Sequence, residues 1–277
     1  MKSSLNQNAK LLAAADIVIH KRRAKQFYSK IKYVPEMCNN RTDIMAISFD
    51  FMQNVQLPAL PVQEMFYLRK LWLYVFNVHN LTTNKVVFYT YHEGSGKKGP
   101  NEVCTMVYKY ITDKIPPEVK ELHVFSDAWG CQNHNHTMIR MFLAVTMTGR
   151  FTPAQYNNLI QGAKVKAPKF LVVPLEHANF LDFKQWWLSI FKKTTNRHDK
   201  TQDFNISKFK HFQYTSEKYE YVGARPFIDS FVVGNFKLNK GGRVELPIDQ
   251  AYHSMLPVKA NKLVDIRKIM HYIPEEH

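Results

Sequence analysis

The chain has 277 residues, of which 45% are hydrophobic and 13% aromatic, enough to bury a sizeable core without disulfide or metal staples. It carries no 18-residue uncharged apolar run and no leader pattern behind Met1, so membrane-spanning, disordered and conventionally secreted readings recede and a soluble chain of the nucleus, otherwise the cytoplasm, is expected. Thirty-eight Lys and Arg against 23 Asp and Glu give a formal net charge of +15, which favours an acidic partner such as DNA or RNA.

Residues 11–33 read as a basic amphipathic helix, Leu11, Leu12, Ala15, Val18 and Ile19 preceding Lys21, Arg22, Arg23 and Lys25. Those cations are either phosphate contacts or a solvated helix face. The run Ile44 to Met52 fits a buried strand with Asp50 near its carboxyl end. Leu71 to Val78 and Lys85 to Tyr91 are two more strands, and their short polar connection makes them an antiparallel hairpin. Gly94 to Gly99 breaks the pattern. Lys97 and Lys98 lie there among three glycines as candidate phosphate contacts, although the spacing of a P-loop is missing.

Pro100 opens a helix with Glu102 in its first turn, and Pro116-Pro117 closes it. Glu121 to Asp127 is again a buried strand ending in an acid, followed by a polar turn with Gln132 and Asn133 and by a helix from about Asn135 that contains Arg140. Gln132, Asn133 and Arg140 join the candidate nucleic-acid contacts, since amides and guanidinium groups bond phosphates and base edges. Further on stand a short helix from Pro153 to Gly162, a strand from Phe170 to Pro174, an aromatic helix from Phe180 to Phe191, and an α+β tail from Phe209 with a helix from Lys262 to His271. The pattern divides the chain into a basic helical segment (1–40), an α/β core (41–195) and the tail (196–277).

The three cysteines, Cys38, Cys104 and Cys131, lack the paired spacing of a disulfide scaffold. Cys131, His134 and His136 crowd within six residues but lack the second ligand pair of a structural zinc site. Two apolar strands that each deliver an aspartate to a strand end are a stronger signal, because open α/β sheets place their sites there. For either aspartate alone, helix capping or turn formation is the competing role.

The order strand with Asp50, hairpin, helix with Glu102, strand with Asp127, helix resembles the ribonuclease H-like fold shared by DDE transposases, retroviral integrases and ribonuclease H. The runs Ser48-Phe49-Asp50-Phe51, Phe66-Tyr67-Leu68-Arg69-Lys70-Leu71-Trp72, Tyr91-His92-Glu93-Gly94, Lys98-Gly99-Pro100-Asn101-Glu102-Val103 and Phe125-Ser126-Asp127 are similar to an uncharacterised family of transposon-derived proteins of invertebrates. The resemblance implies a mixed sheet whose first three strands are antiparallel, with flanking helices. It also implies metal-dependent phosphodiester cleavage or strand transfer, with Mg²⁺ or Mn²⁺ held by Asp50 and Asp127. Ribonuclease H uses a Glu on the helix after its third strand, and Glu102 stands on the corresponding helix.

Such a site needs a last acid after the fifth strand, yet 48 consecutive residues between Asp127 and Glu176 contain no Asp or Glu. Relatives carry a segment with a His and an Asp where Phe151 here runs straight into Thr152. Glu176 and Asp182 are the nearest substitutes, and packing or capping roles suit both better. The expectation is a degenerate nuclease-like core that binds nucleic acid with little or no turnover. The alternative is a DNA- or RNA-binding or protein-interaction module that never uses the carboxylates.

Overall fold

The apolar run after Asp43 forms β1 (Ile44–Phe51) in the computed structural model, which describes residues 6–39, 41–127, 130, 132–149, 153–159, 169–192 and 204–273. β2 (Val55–Leu57) is a short strand laid on the start of β3 (Leu71–Asn80), and β3 pairs antiparallel with both β1 and β4 (Lys85–His92). The β3–β4 turn follows from its residues. The Asn80 side-chain oxygen accepts from the backbone N–H groups of Thr82 and Thr83, each at 3.0 Å, and Asn84 takes the left-handed φ of 52° that asparagine tolerates.

α2 (Pro100–Lys114) starts with proline at its first position, where no backbone donor is required. It leads to β5 (Glu121–Asp127), which lies parallel to β1 on the side away from β3. α3 (His136–Met147) is capped by the Asn135 side chain, which accepts from the Met138 N–H at 3.0 Å. The stretch from Pro153, expected as a helix, is instead the strand β6 (Pro153–Leu159), parallel to β5; residues 160–162 of that expected helix lie outside the described residues.

β7 (Lys169–Pro174) adds to the outer edge of β4 in parallel. α4 (Phe183–Ile190) follows, its N-terminus capped by Asp182, whose Oδ1 accepts from the Gln185 N–H at 3.2 Å. Three antiparallel strands, β8 (His211–Thr215), β9 (Tyr221–Arg225) and β10 (Gly234–Lys237), continue the sheet beyond β6. The result is one ten-stranded mixed sheet in the order β10-β9-β8-β6-β5-β1-β3-β4-β7, with β2 beside β3. The protein is therefore α/β, with helices on both faces of the sheet.

Alternation along β1 sorts the two faces. Met45, Ile47 and Phe49 point to the main core, built with Val103, Met106, Val107 and Ile111 of α2 and Ile139, Phe142 and Leu143 of α3. At about 1.5 to 3 kcal/mol for each large apolar side chain buried, this layer dominates stability. Ile44 and Ala46 point the other way, where Phe27, Val34 and Cys38 of α1 (Gln7–Asn39) close a smaller core with Phe125. Upstream on α1, Leu11, Leu12, Ile17 and Val18 are exposed.

The tail shares this architecture. Phe212, Tyr214, Val222 and Phe236 belong to the main core, the Lys192 N–H donates to the Leu238 carbonyl at 2.8 Å, and the Ala251 N–H donates to that of Phe180 at 2.7 Å. The connector Thr194 to Lys200 lies outside the described residues. α5 (Ala260–Ile269), followed by a 3-10 turn over Met270–Tyr272, ends the described fold. Among the described residues, no helix is long and apolar enough to cross a membrane.

Candidate functional site

β1 and β5 run parallel, and their register pairs Ile44 with Glu121 and continues to Phe49 with Ser126. One further step sets Asp50 beside Asp127. Directly paired residues of neighbouring strands share a sheet face, so the two carboxylates project from the strand ends on the side that Ile44, Ala46 and Phe125 occupy lower down.

The pair is electrostatically strained. Burial, and then the charge of Asp127, push the Asp50 carboxyl up to about 6, against the opposing pull of the Phe51 N–H and the Lys98 ammonium. That N–H donates to Asp50 Oδ1 at 2.7 Å. Asn77, opposite Asp50 in the β1–β3 ladder, donates its side-chain amide to the Asp50 carbonyl at 2.9 Å and holds the strand end in place. The fully buried Asn133 donates its side-chain amide to Asp127 Oδ1 and fixes that carboxylate's rotamer.

Lys98 stands on the loop before α2 as the cation of the site. Its Nζ donates to Asn54 Oδ1 at 2.6 Å and lies 4.5 Å and 5.3 Å from the ring centres of Phe51 and Tyr74. Burial lowers its pKa and Asp50 raises it.

Glu102 does something else. It is buried, its Oε1 accepts from the Lys97 N–H at 2.9 Å and from the Tyr252 hydroxyl, and its Oε2 accepts from the Gly99 N–H at 3.1 Å. The carboxylate thus closes the loop onto the start of α2, and it is absent from the charges that move Asp50. This corrects the expectation of Glu102 as a catalytic acid: its oxygens are engaged by internal donors.

Two expected nucleic-acid contacts are corrected in the same way. Arg140 is fully buried; its guanidinium donates to the Lys192 carbonyl at 2.5 Å and the His136 carbonyl at 3.1 Å, and lies 4.3 Å from the Trp187 ring centre. Asn133 serves Asp127 and is out of reach of a base. Of the remaining candidates, Lys21, Arg22 and Lys97 are exposed and Gln132 is partly so. The Arg23 guanidinium packs 3.7 Å over the Phe227 ring and joins α1 to the tail.

Comparison of the chain with protein-family models, with curated proteins and with solved structures finds no match. The site therefore has to be interpreted from its own atoms. Cys131 lies outside the described residues, while His134 Nε2 lies 2.9 Å from the Phe209 carbonyl and His136 contacts Arg140. Among the described residues, no group of three or more His, Cys, Asp or Glu is arranged to hold a metal ion. Asp182 caps α4 and accepts from the Asn101 side chain at 3.0 Å, while Glu176 is exposed.

Asn54 and Asn77 were missed at the level of sequence. Asn77 carried a signal, as the polar member of the otherwise apolar run from Leu71 to Val78. Asn54 carried none, because its role depends on Lys98, 44 residues later.

Proposed function

We propose that the protein binds nucleic acid through a ribonuclease H-like core of transposon origin, with Asp50 and Asp127 as what remains of a metal-dependent phosphodiester-cleaving site. The observation that supports this best is the strand order β4-β3-β1-β5-β6, antiparallel across the first three and parallel across the last three, with an aspartate ending each of the two central parallel strands. The connecting helices α2 and α3 bury their apolar sides in the core on one face of that sheet.

The carboxylate pair suits a hard divalent cation such as Mg²⁺ or Mn²⁺ in two respects. It offers oxygen donors, and the carboxyl raised by burial and by its neighbour's charge gains from a dication what it loses beside another anion. Asp50 and Asp127 would hold the ion. Bound there, it would supply Lewis-acid polarisation of a phosphodiester. The chain's own groups set the orientation: Asn133 fixes Asp127, Asn77 fixes the β1 end, and Lys98 offers a positive charge beside the pair. With Glu102 engaged internally and no third acid grouped with the pair among the described residues, the reading favours binding over turnover.

Two measurements test it. Mn²⁺ should raise the melting temperature of the wild-type chain and leave that of Asp50→Asn unmoved; a wild type indifferent to Mn²⁺ removes the metal from the proposal. Affinity for DNA or RNA should fall steeply with salt, and Lys21→Ala with Arg22→Ala should flatten the slope of log affinity against log salt by up to about 2. A flat wild-type slope rejects nucleic-acid binding altogether.

A further inference from the structure

Beyond the carboxyl end of β1, a cleft of about 450 Å³ is lined by Met52, Gln53, Asn54, Gln56, Trp72 and Lys98, a size within the usual range of small-ligand sites. Gln56 lies directly opposite Trp72 in the β2–β3 ladder, so their side chains stand side by side on one face. Trp72 is half-buried, and Lys262, itself held by Glu93 at 2.6 Å, sits 5.8 Å from its ring centre. Gln53 and Gln56 are exposed. Among the described residues, the side-chain amides of both and the Trp72 indole N–H are not engaged by protein groups. Lys98 is common to the cleft and the carboxylate site, forming one wall of the former while its charge acts on Asp50.

These groups have complementary chemistries. An indole offers a flat surface on which any base can stack. A glutamine amide carries both donors and an acceptor, as a base edge does, and an ammonium matches a phosphate. We infer that the cleft receives one unpaired nucleobase, stacked on Trp72 with its edge toward Gln53 and Gln56, while a phosphate of the same strand meets the Lys98 ammonium. A base reaches such a cleft only outside a duplex stack, so the preferred partner is a single strand or a frayed end. The inference rests on the nucleic-acid reading above and adds to it the state of the strand and the group that recognises it.

The experiment is fluorescence anisotropy in chelator-containing buffer with labelled strands of about 12 nucleotides: oligo-dT, oligo-U, and an abasic strand with the same phosphates. Wild-type protein should bind at least one base-bearing strand about tenfold tighter than the abasic strand. Trp72→Ala should bring that affinity down to the abasic level, and Trp72→Phe should keep most of it, which separates stacking from misfolding. A Trp72-dependent gain with oligo-dT alone, with oligo-U alone or with both assigns the cleft to DNA, to RNA or to either. Equal wild-type affinity for all three strands, or base-dependent affinity unchanged in Trp72→Ala, overturns the inference. The parent reading is scored separately, by the Mn²⁺ melting shift without nucleic acid and by the salt slope on the abasic strand. Trp72→Ala should leave both unchanged, so a failed cleft and a failed site give different results.

Discussion

Replacing Asp50 with Asn should stabilise the protein at neutral pH, because the native carboxylate is held where it is disfavoured. Its carboxyl titrates at about 6 in the fold instead of near 3.8, chiefly through burial and next through Asp127. At full strength a displacement of that size corresponds to about 3 kcal/mol. Asp50 is only half-buried, so solvent screening cuts the expected effect to about 1 to 1.5 kcal/mol. The sign follows from proton counting. Between about pH 4 and pH 6 the native state holds more protons at Asp50 than the unfolded chain does, so stability falls as pH rises through that window and the penalty is complete above it. Asparagine keeps an oxygen for the Phe51 N–H and carries no charge. Urea unfolding of wild type and Asp50→Asn at pH 7.5, 6 and 4.5 should therefore show a gain of about 1 kcal/mol at the highest pH that shrinks at the lowest. Loss of stability at pH 7.5, or a gain that ignores pH, would refute the placement of Asp50 beside a second carboxylate in a partly desolvated strand end.

Glu102→Ala should cost about 2 to 4 kcal/mol in urea unfolding, since it strips the acceptor from the Lys97 and Gly99 N–H groups and the Tyr252 hydroxyl. If Glu102 were instead an exposed metal ligand, the same change would stabilise the fold or leave it unaffected. Arg140→Ala should cost about 3 to 5 kcal/mol by leaving the Lys192 carbonyl without its guanidinium donor beside a cavity against Trp187. The milder Arg140→Met should leave the salt dependence of nucleic-acid binding unchanged, and a reduced slope would show that Arg140 reaches phosphate after all.

Elements with a local cause were legible in the sequence. β1, β3, β4, β5, α2 and α3 each combine the right apolar period with a stop or start of their own: Asn80 and Asn84 in the hairpin, Pro100 at a helix start, Asn135 as a cap. β6 has no such cause. Pro153-Ala154-Gln155-Tyr156-Asn157-Asn158-Leu159 alternates only over its first half and breaks at Asn157-Asn158, and it is a strand because β5 on one side and β8 on the other complete its hydrogen bonds. The tail looked like a separate unit for a related reason. Its strands are four or five residues long, and nothing within so short a run says which sheet it will join.

The polar residues divide along the same line, and the division explains how the candidate site came out. The placement of Asp50 beside Asp127 was legible because a strand end is a position that periodicity itself defines. Arg140 and Glu102 were misassigned because a charged side chain defaults to the surface, whereas burial is decided by partners far away in the chain, Lys192 for one and Tyr252 for the other. Both carried a correcting signal. Met138, Ile139, Met141, Phe142 and Leu143 surround Arg140 on every side of the helix, and a helix apolar all round is buried, so an arginine within it has to find internal acceptors. Glu102 sits three residues after Gly99 at a helix start, the position from which a glutamate reaches back to the loop N–H groups. Asn133 follows the same logic from the opposite direction: an amide next to an acid-tipped strand is better placed to hold that acid's rotamer than to read a base, and the buried Asn133–Asp127 bond is the outcome. Of the cations expected to meet nucleic acid, Lys21, Arg22 and Lys97 stay exposed, so the contact proposed above would be carried on the outer face of α1 and on the loop before α2.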